Sequence, residues 1–139
     1  MATITSNSVE ETIAFARDWA QKLVPNDVVA LIGELGVGKT QFVKGLLQGL
    51  QSAEEATSPT FTLLHEYRDG RLPLFHFDFY RLRRAAEADE LGFDDYLVDG
   101  GVTVVEWADR FPEALPERTY WLRLAATSES TRKISEEEG

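Results

Sequence analysis

Val28-Val29-Ala30-Leu31-Ile32-Gly33-Glu34-Leu35-Gly36-Val37-Gly38-Lys39-Thr40-Gln41-Phe42 decides how the rest of the chain is read. Val28 to Ile32 is an unbroken apolar run bounded by a turn signal, the pattern of a strand buried on both faces. It breaks into Gly33-x-x-x-x-Gly38-Lys39-Thr40, the spacing G-x-x-x-x-G-K-[ST] of a phosphate-binding loop. Phe42, Val43, Leu46, Leu47 and Leu50 then follow at helical spacing. At average residue usage the four fixed positions coincide by chance in roughly one chain of this length in two hundred. The strand before and the helix after are the context that a true phosphate loop requires.

The residue types suit the chemistry. Glycines at 33, 36 and 38 admit positive φ and keep Cβ atoms away from a ligand. Backbone N–H groups and the helix N-terminus then face phosphate oxygens. Lys39 is expected on the β- and γ-phosphates, and the Thr40 hydroxyl on Mg²⁺. The expected nucleotide contacts are Gly33, Gly36, Val37, Gly38, Lys39, Thr40 and Gln41. Thr60 is added from a Ser58-Pro59-Thr60 loop where switch segments sit, and Thr12 from the first helix.

Working outward, two further apolar runs end in acids. Leu74-Phe75-His76-Phe77-Asp78 has the form of a Walker B strand, and Val104-Val105-Glu106 repeats it. An aspartate after so many aromatics is costly to bury without a cation. Asp78 and Glu106 are therefore expected to share Mg²⁺ with Thr40, and Lys39, Asp78 and Glu106 to carry the catalysis. A strand-end aspartate that caps a turn, and a glutamate paired with an arginine, are the structural alternatives. His76 shares a strand face with Asp78 and Tyr80, either supporting the site or satisfied structurally. Arg81-Leu82-Arg83-Arg84 is read as a partner surface, a source of an arginine that touches phosphate or, more simply, an exposed run bridged to Glu87, Asp89 and Glu90. No Asn-Lys-x-Asp guanine signature occurs, so ATP is the expected nucleotide.

Ser8-Val9-Glu10-Glu11 resembles a capping box, and Val9, Ile13, Ala16, Ala20 and Leu23 give the helix after it one apolar face. Ala2 to Thr5 reads as a short edge strand. Arg68-Asp69-Gly70-Arg71 joins two runs tightly enough to force an antiparallel pair. Arg81 to Val98 reads as one or two short helices split around Gly92, and Tyr120 to Leu124 as a last clear strand. The expected fold is α/β: a three-layer P-loop NTPase domain with a mixed, mainly parallel sheet and an antiparallel hairpin. Residues 1–127 form that domain. Residues 128–139 are expected to be a polar tail, frayed or at most adding a short edge strand through Arg132-Lys133-Ile134.

The chain has 139 residues, 43% hydrophobic, with a formal net charge of −10 and no cysteine. That charge opposes broad nucleic-acid binding, because a phosphate backbone would be repelled. The lack of cysteine excludes a disulfide framework and thiolate metal sites. The start has no signal-peptide pattern and no segment has membrane-spanning length, so a cytoplasmic address with no membrane contact is expected.

Gly33-Glu34-Leu35-Gly36-Val37-Gly38-Lys39-Thr40, Ser58-Pro59-Thr60-Phe61-Thr62-Leu63, His76-Phe77-Asp78-Phe79-Tyr80-Arg81, Glu90-Leu91-Gly92 and Glu106-Trp107 occur in that order. Together they resemble the ordered motifs of the bacterial TsaE family (formerly YjeE). The resemblance implies an ATPase of tRNA threonylcarbamoyladenosine biosynthesis that acts with TsaD and TsaB and meets tRNA only through that complex. It further implies weak hydrolysis in isolation, with turnover that resets the partner complex. It assigns Lys39 to phosphate, Thr40 to magnesium, Asp78 to the Walker B position and Glu106 to a magnesium-associated or catalytic role. A small-molecule kinase and a non-catalytic ATP-sensing module are the rival readings.

Overall fold

The computed structural model describes residues 3–34, 38–54 and 63–137. Strands β1 (Thr3–Ser6), β2 (Val28–Ile32), β3 (Leu64–Tyr67), β4 (Leu74–Asp78), β5 (Val102–Glu106), β6 (Tyr120–Ala126) and β7 (Arg132–Glu137) form one sheet in the order β1-β7-β6-β2-β5-β4-β3. Neighbours β6, β2, β5 and β4 are parallel, and β7 and β3 run against them. β1 is antiparallel to β7 and so shares the direction of the central strands. The mixed, mainly parallel sheet and the β3–β4 hairpin are as expected.

Both sheet faces are covered, which is why β2 is apolar throughout. Val29 and Leu31 enter a core with α1 (Val9–Trp19) and α2 (Lys39–Gly49). Val28, Ala30 and Ile32 enter the opposite core, whose aromatics Phe75, Phe77 and Phe79 meet Phe93 of α4 (Phe93–Tyr96) and Ala88 of α3 (Ala86–Glu90). Ser8 opens α1, its Oγ accepting the Glu11 N–H at 3.1 Å. The Glu11 carboxylate returns to the Asn7 N–H, a capping box shifted back by one residue. The two helices touch backbone to backbone. A Cβ on Gly45 would lie 2.4 Å from the Ile13 carbonyl oxygen and 2.6 Å from the Ala16 Cβ. One on Gly49 would repeat that collision with Arg17 and Ala20.

The C-terminal segment corrects the expectation of a tail or edge strand. β7 lies inside the sheet, paired with β1 from Thr3↔Ser135 to Ser6↔Arg132 and with β6 from Trp121↔Glu137 to Ala126↔Arg132. Of its residues only Ile134 is buried, so no alternating apolar pattern announces it. Its charges pair with residues distant in sequence instead. Glu136 accepts from Trp19 Nε1 at 3.1 Å and Lys22 Nζ at 3.2 Å, and Glu137 accepts from Arg123 at 3.0 Å.

The three arginines of the basic run are exposed, as read. Arg81 to Arg84 forms a turn before α3, and the Glu87 carboxylate accepts the backbone N–H groups of Arg83 and Arg84. Glu87 thus caps the turn and holds its carboxyl below the usual glutamate range, the Arg83 bond being the largest cause.

Candidate functional site

The parallel strands β2, β4 and β5 end side by side, and the site is built where they stop. Beyond Ile32, Gly33 adopts φ +147° and Gly38 adopts φ +105°, backbone that a side chain would strain. Gly38 is the N-cap of α2, and among the described residues no side chain caps the first-turn N–H groups. α2 begins with Lys39, which is only 4% exposed. Its Nζ donates to the Gly33 carbonyl oxygen at 2.7 Å and lies 3.8 Å from the centroid of the Trp107 ring. Burial lowers the pKa of this ammonium, while Glu106, Asp78 and Asp109 oppose the shift. A cation so far from water persists because carboxylates surround it.

Asp78 and Glu106 are register partners across β4 and β5. Leu74, Val102 and Val104 belong to the core beneath α1 and α2, so period-two alternation turns His76, Asp78 and Glu106 toward that same side. Asp78 is half-buried, and its Oδ1 accepts the Tyr80 N–H at 2.8 Å, which is the turn-capping alternative realised. Burial raises the Asp78 carboxyl pKa and Glu106 adds to it, outweighing the backbone bond and the nearby Lys39. Glu106 is buried, with Oε2 at 2.6 Å from His76 Nε2. Trp107, immediately after it, holds a left-handed φ of +58° and packs on Tyr80 with 4.9 Å between ring centroids. Non-glycine residues in that conformation are costly and gather at functional sites.

A cavity of about 540 Å³ opens over the start of α2, in the size range of small-molecule sites. Gly38, Lys39, Thr40, Gln41 and Glu106 line it from below, with Asn7, Ser8, Val9 and Thr12 on one wall and Glu129, Ser130 and Arg132 on another. The expected residues Thr12, Gly38, Lys39, Thr40, Gln41 and Glu106 therefore converge, Gly33 joins through Lys39, and Asp78 stands beside Glu106. Gly36, Val37 and Thr60 lie outside the described residues. Thr12 is buried at 3% exposure, and its hydroxyl meets Ser6 Oγ at 2.7 Å. Since Ser6 donates its own proton to the Ser8 carbonyl, Thr12 is the donor to Ser6. Its hydroxyl is committed to the β1–α1 junction, and it serves the cavity as wall.

Sequence reasoning missed the walls at residues 7–9 and 129–132. Both depend on β7, which pairs with β1 and carries the β6–β7 hairpin, where the Thr127 N–H donates to the Thr131 carbonyl at 3.0 Å. Arg132 lies at the cavity, with Nη1 donating to the carbonyls of Ser128, Glu129 and Thr131. The polar Ser128-Glu129-Ser130-Thr131 stretch was a readable turn signal, usable only once a strand is recognised after it.

A family model described as "Threonylcarbamoyl adenosine biosynthesis protein TsaE" matches residues 6–134. The chain is 42% identical over 126 residues to the tRNA threonylcarbamoyladenosine biosynthesis protein TsaE of Bacillus subtilis, covering 91% of this chain and 78% of that one. It is 41% identical over 130 residues to the protein of the same name from Treponema pallidum, covering 94% and 96%. Among solved structures it resembles the crystal structure of Bacillus subtilis YdiB, with TM-score 0.82 and 37% identity over 99% of this chain and 86% of that one.

Proposed function

The chain belongs to the TsaE family of tRNA threonylcarbamoyladenosine biosynthesis, and on that premise we propose that it is a P-loop ATPase working with TsaD and TsaB. The observation that carries this reading is a convergence. A buried lysine at an uncapped helix N-terminus shares one cavity with Glu106, and Asp78 stands beside Glu106 in register. The helix terminus and Lys39 offer the positive field that a polyphosphate needs, and the cavity has the volume for a nucleotide. The Thr40 hydroxyl with two adjacent carboxylates is a hard oxygen set, which suits Mg²⁺ sharing its shell with phosphate oxygens.

Lys39 binds the β- and γ-phosphates in this reading, which compete for the ammonium that Gly33 and the Trp107 face now hold. Mg²⁺ supplies charge neutralisation on those phosphates, held by Thr40, Asp78 and Glu106. Glu106 orients the water that attacks the γ-phosphate, and the apolar wall around Trp107 limits access of other water. The Arg132 guanidinium is engaged with hairpin carbonyls, which leaves completion of the transition-state charge to a partner. Turnover then resets the partner complex, and tRNA is met only within it, in keeping with the net charge of −10.

The test is ATP hydrolysis measured with and without TsaD–TsaB and tRNA, for the wild type, Lys39→Ala and Glu106→Ala. Partner-stimulated turnover is expected in the wild type. Lys39→Ala weakens ATP binding by calorimetry, and Glu106→Ala retains binding and loses turnover. Transfer of the γ-phosphate to a small acceptor would make the protein a kinase. Full modification activity by a hydrolysis-dead Glu106→Ala would make it a sensing module.

A further inference from the structure

We propose that His76 is a positioning residue, holding one oxygen of Glu106 so that the other is presented to the cavity. The proposal rests on the reading of Glu106 as an acid of the nucleotide site. His76 is 0% exposed and sits two pairs below Asp78 on β4, where its register partner is Val104. Glu106 lies two residues beyond Val104 on the same face, so the two side chains are diagonal neighbours. The resulting contact, His76 Nε2 to Glu106 Oε2, is 2.6 Å, short even for a charge-assisted hydrogen bond.

The second ring nitrogen tells what the histidine is for. Nδ1 is buried and has no hydrogen-bond partner among the described residues. A histidine kept for structure alone normally satisfies both nitrogens, because an unpaired polar atom away from water destabilises the fold. Here, among the described residues, a single hydrogen bond is made, and it is made to the acid. The partners also assign the tautomer. With Nδ1 lacking an acceptor, the proton belongs on Nε2, which donates to Glu106. A carboxylate fixed at Oε2 has its plane set, and Oε1 is the oxygen left for the cavity that Glu106 lines. This is the arrangement by which an outer residue orients an inner acid.

The variants His76→Gln and His76→Asn separate positioning from packing. Glutamine places its amide N–H near the location of Nε2, whereas asparagine is too short and reaches only the Nδ1 location. Partner-stimulated kcat is expected to fall about 10–100-fold in His76→Asn, with KM for ATP and melting temperature close to wild type, and to be restored in His76→Gln. In the nucleotide-free protein, ¹⁵N-resolved imidazole spectra should show the Nε2–H tautomer with a slowly exchanging Hε2, its protection lost in Glu106→Ala. Wild-type kcat in His76→Asn would overturn the proposal, as would an Nδ1–H tautomer. So would equal loss in both variants with a raised KM, the mark of a packing role. Absence of ATP hydrolysis in the wild type, with partners present, would overturn the functional reading. The imidazole spectra, which need no turnover, would then still decide whether His76 holds Glu106.

Discussion

Replacing Asp78 with asparagine should make the nucleotide-free protein more stable while removing an acid that the proposed function assigns to Mg²⁺. Asp78 and Glu106 are register partners on adjacent strands, so their backbones stand about 5 Å apart. Two carboxylates at that separation repel by about 1–3 kcal/mol for effective dielectric constants between 80 and 20. Asp78 is half open to solvent, which places the value near the lower end, about 1 kcal/mol. Asparagine keeps the oxygen that accepts the Tyr80 N–H and removes only the charge. For a domain of this size the gain corresponds to a rise in melting temperature of about 3–5 °C. The pH dependence gives the sharper signature. Because burial and Glu106 raise the Asp78 pKa in the folded state, the ionised carboxylate costs stability above that raised value. The cost lifts as pH falls through it, and disappears below the unfolded value of 3.8, where both states are protonated. Thermal melts of both proteins across that pH range, without nucleotide, provide the assay. A variant no more stable than wild type at neutral pH would refute the reasoning, as would a difference that persists undiminished below pH 3.8. With ATP and Mg²⁺ added the order should reverse, since only the wild type recovers its electrostatic cost by binding.

Two further outcomes follow from the scaffold. Gly45→Ala adds a methyl group 2.4 Å from the Ile13 carbonyl oxygen, a collision that only separation of α1 from α2 can relieve. Overpacking of about 1–3 kcal/mol offsets or exceeds the gain in helix propensity of about 1 kcal/mol, so denaturant melts should show a net loss of up to about 2 kcal/mol; a stabilised variant would contradict the close helix contact. Deleting residues 132–139 removes β7 and leaves β1 and β6 with open edges. Aggregation or unfolding is expected by circular dichroism and light scattering, and a soluble, cooperatively melting product would show that β7 is dispensable.

The central part of the fold was readable because every local signal agreed. The apolar run of β2, the glycines after it and the helical spacing of α2 each point to the same strand–loop–helix unit. Asp78 and Glu106 were readable for a related reason: both follow apolar runs that a buried parallel strand explains, and both runs end in an acid. β7 was not readable. Its six residues bury one side chain, and its stability comes from pairing with β1, more than 120 residues earlier in the chain, and from charges whose partners lie on α1, the following 3₁₀ turn and β6. No window of sequence contains that information. Two walls of the cavity depend on the same pairing, so they were missed with it.

Four departures from ordinary folding rules lie together at the site, while positive φ also occurs in turns elsewhere, at Asn26 and Gln51. Lys39 is a buried cation, Trp107 is a non-glycine residue with positive φ, Asp78 has a raised pKa, and His76 has a buried ring nitrogen without a partner among the described residues. Each costs stability on its own, and elsewhere the described strands follow the alternation and burial their sequences call for. All four gather at the carboxyl ends of β4 and β5 and the start of α2, facing one cavity or standing beside it. Selection for stability alone would remove them one at a time, since Asp78→Asn is calculated to stabilise the nucleotide-free chain. The proposed ligand would compensate several at once: an anion for the lysine and a cation for the acids. A nucleotide bound with its metal has both charges in one molecule, and that is the physical reason to prefer it over a simple anion at the same helix terminus.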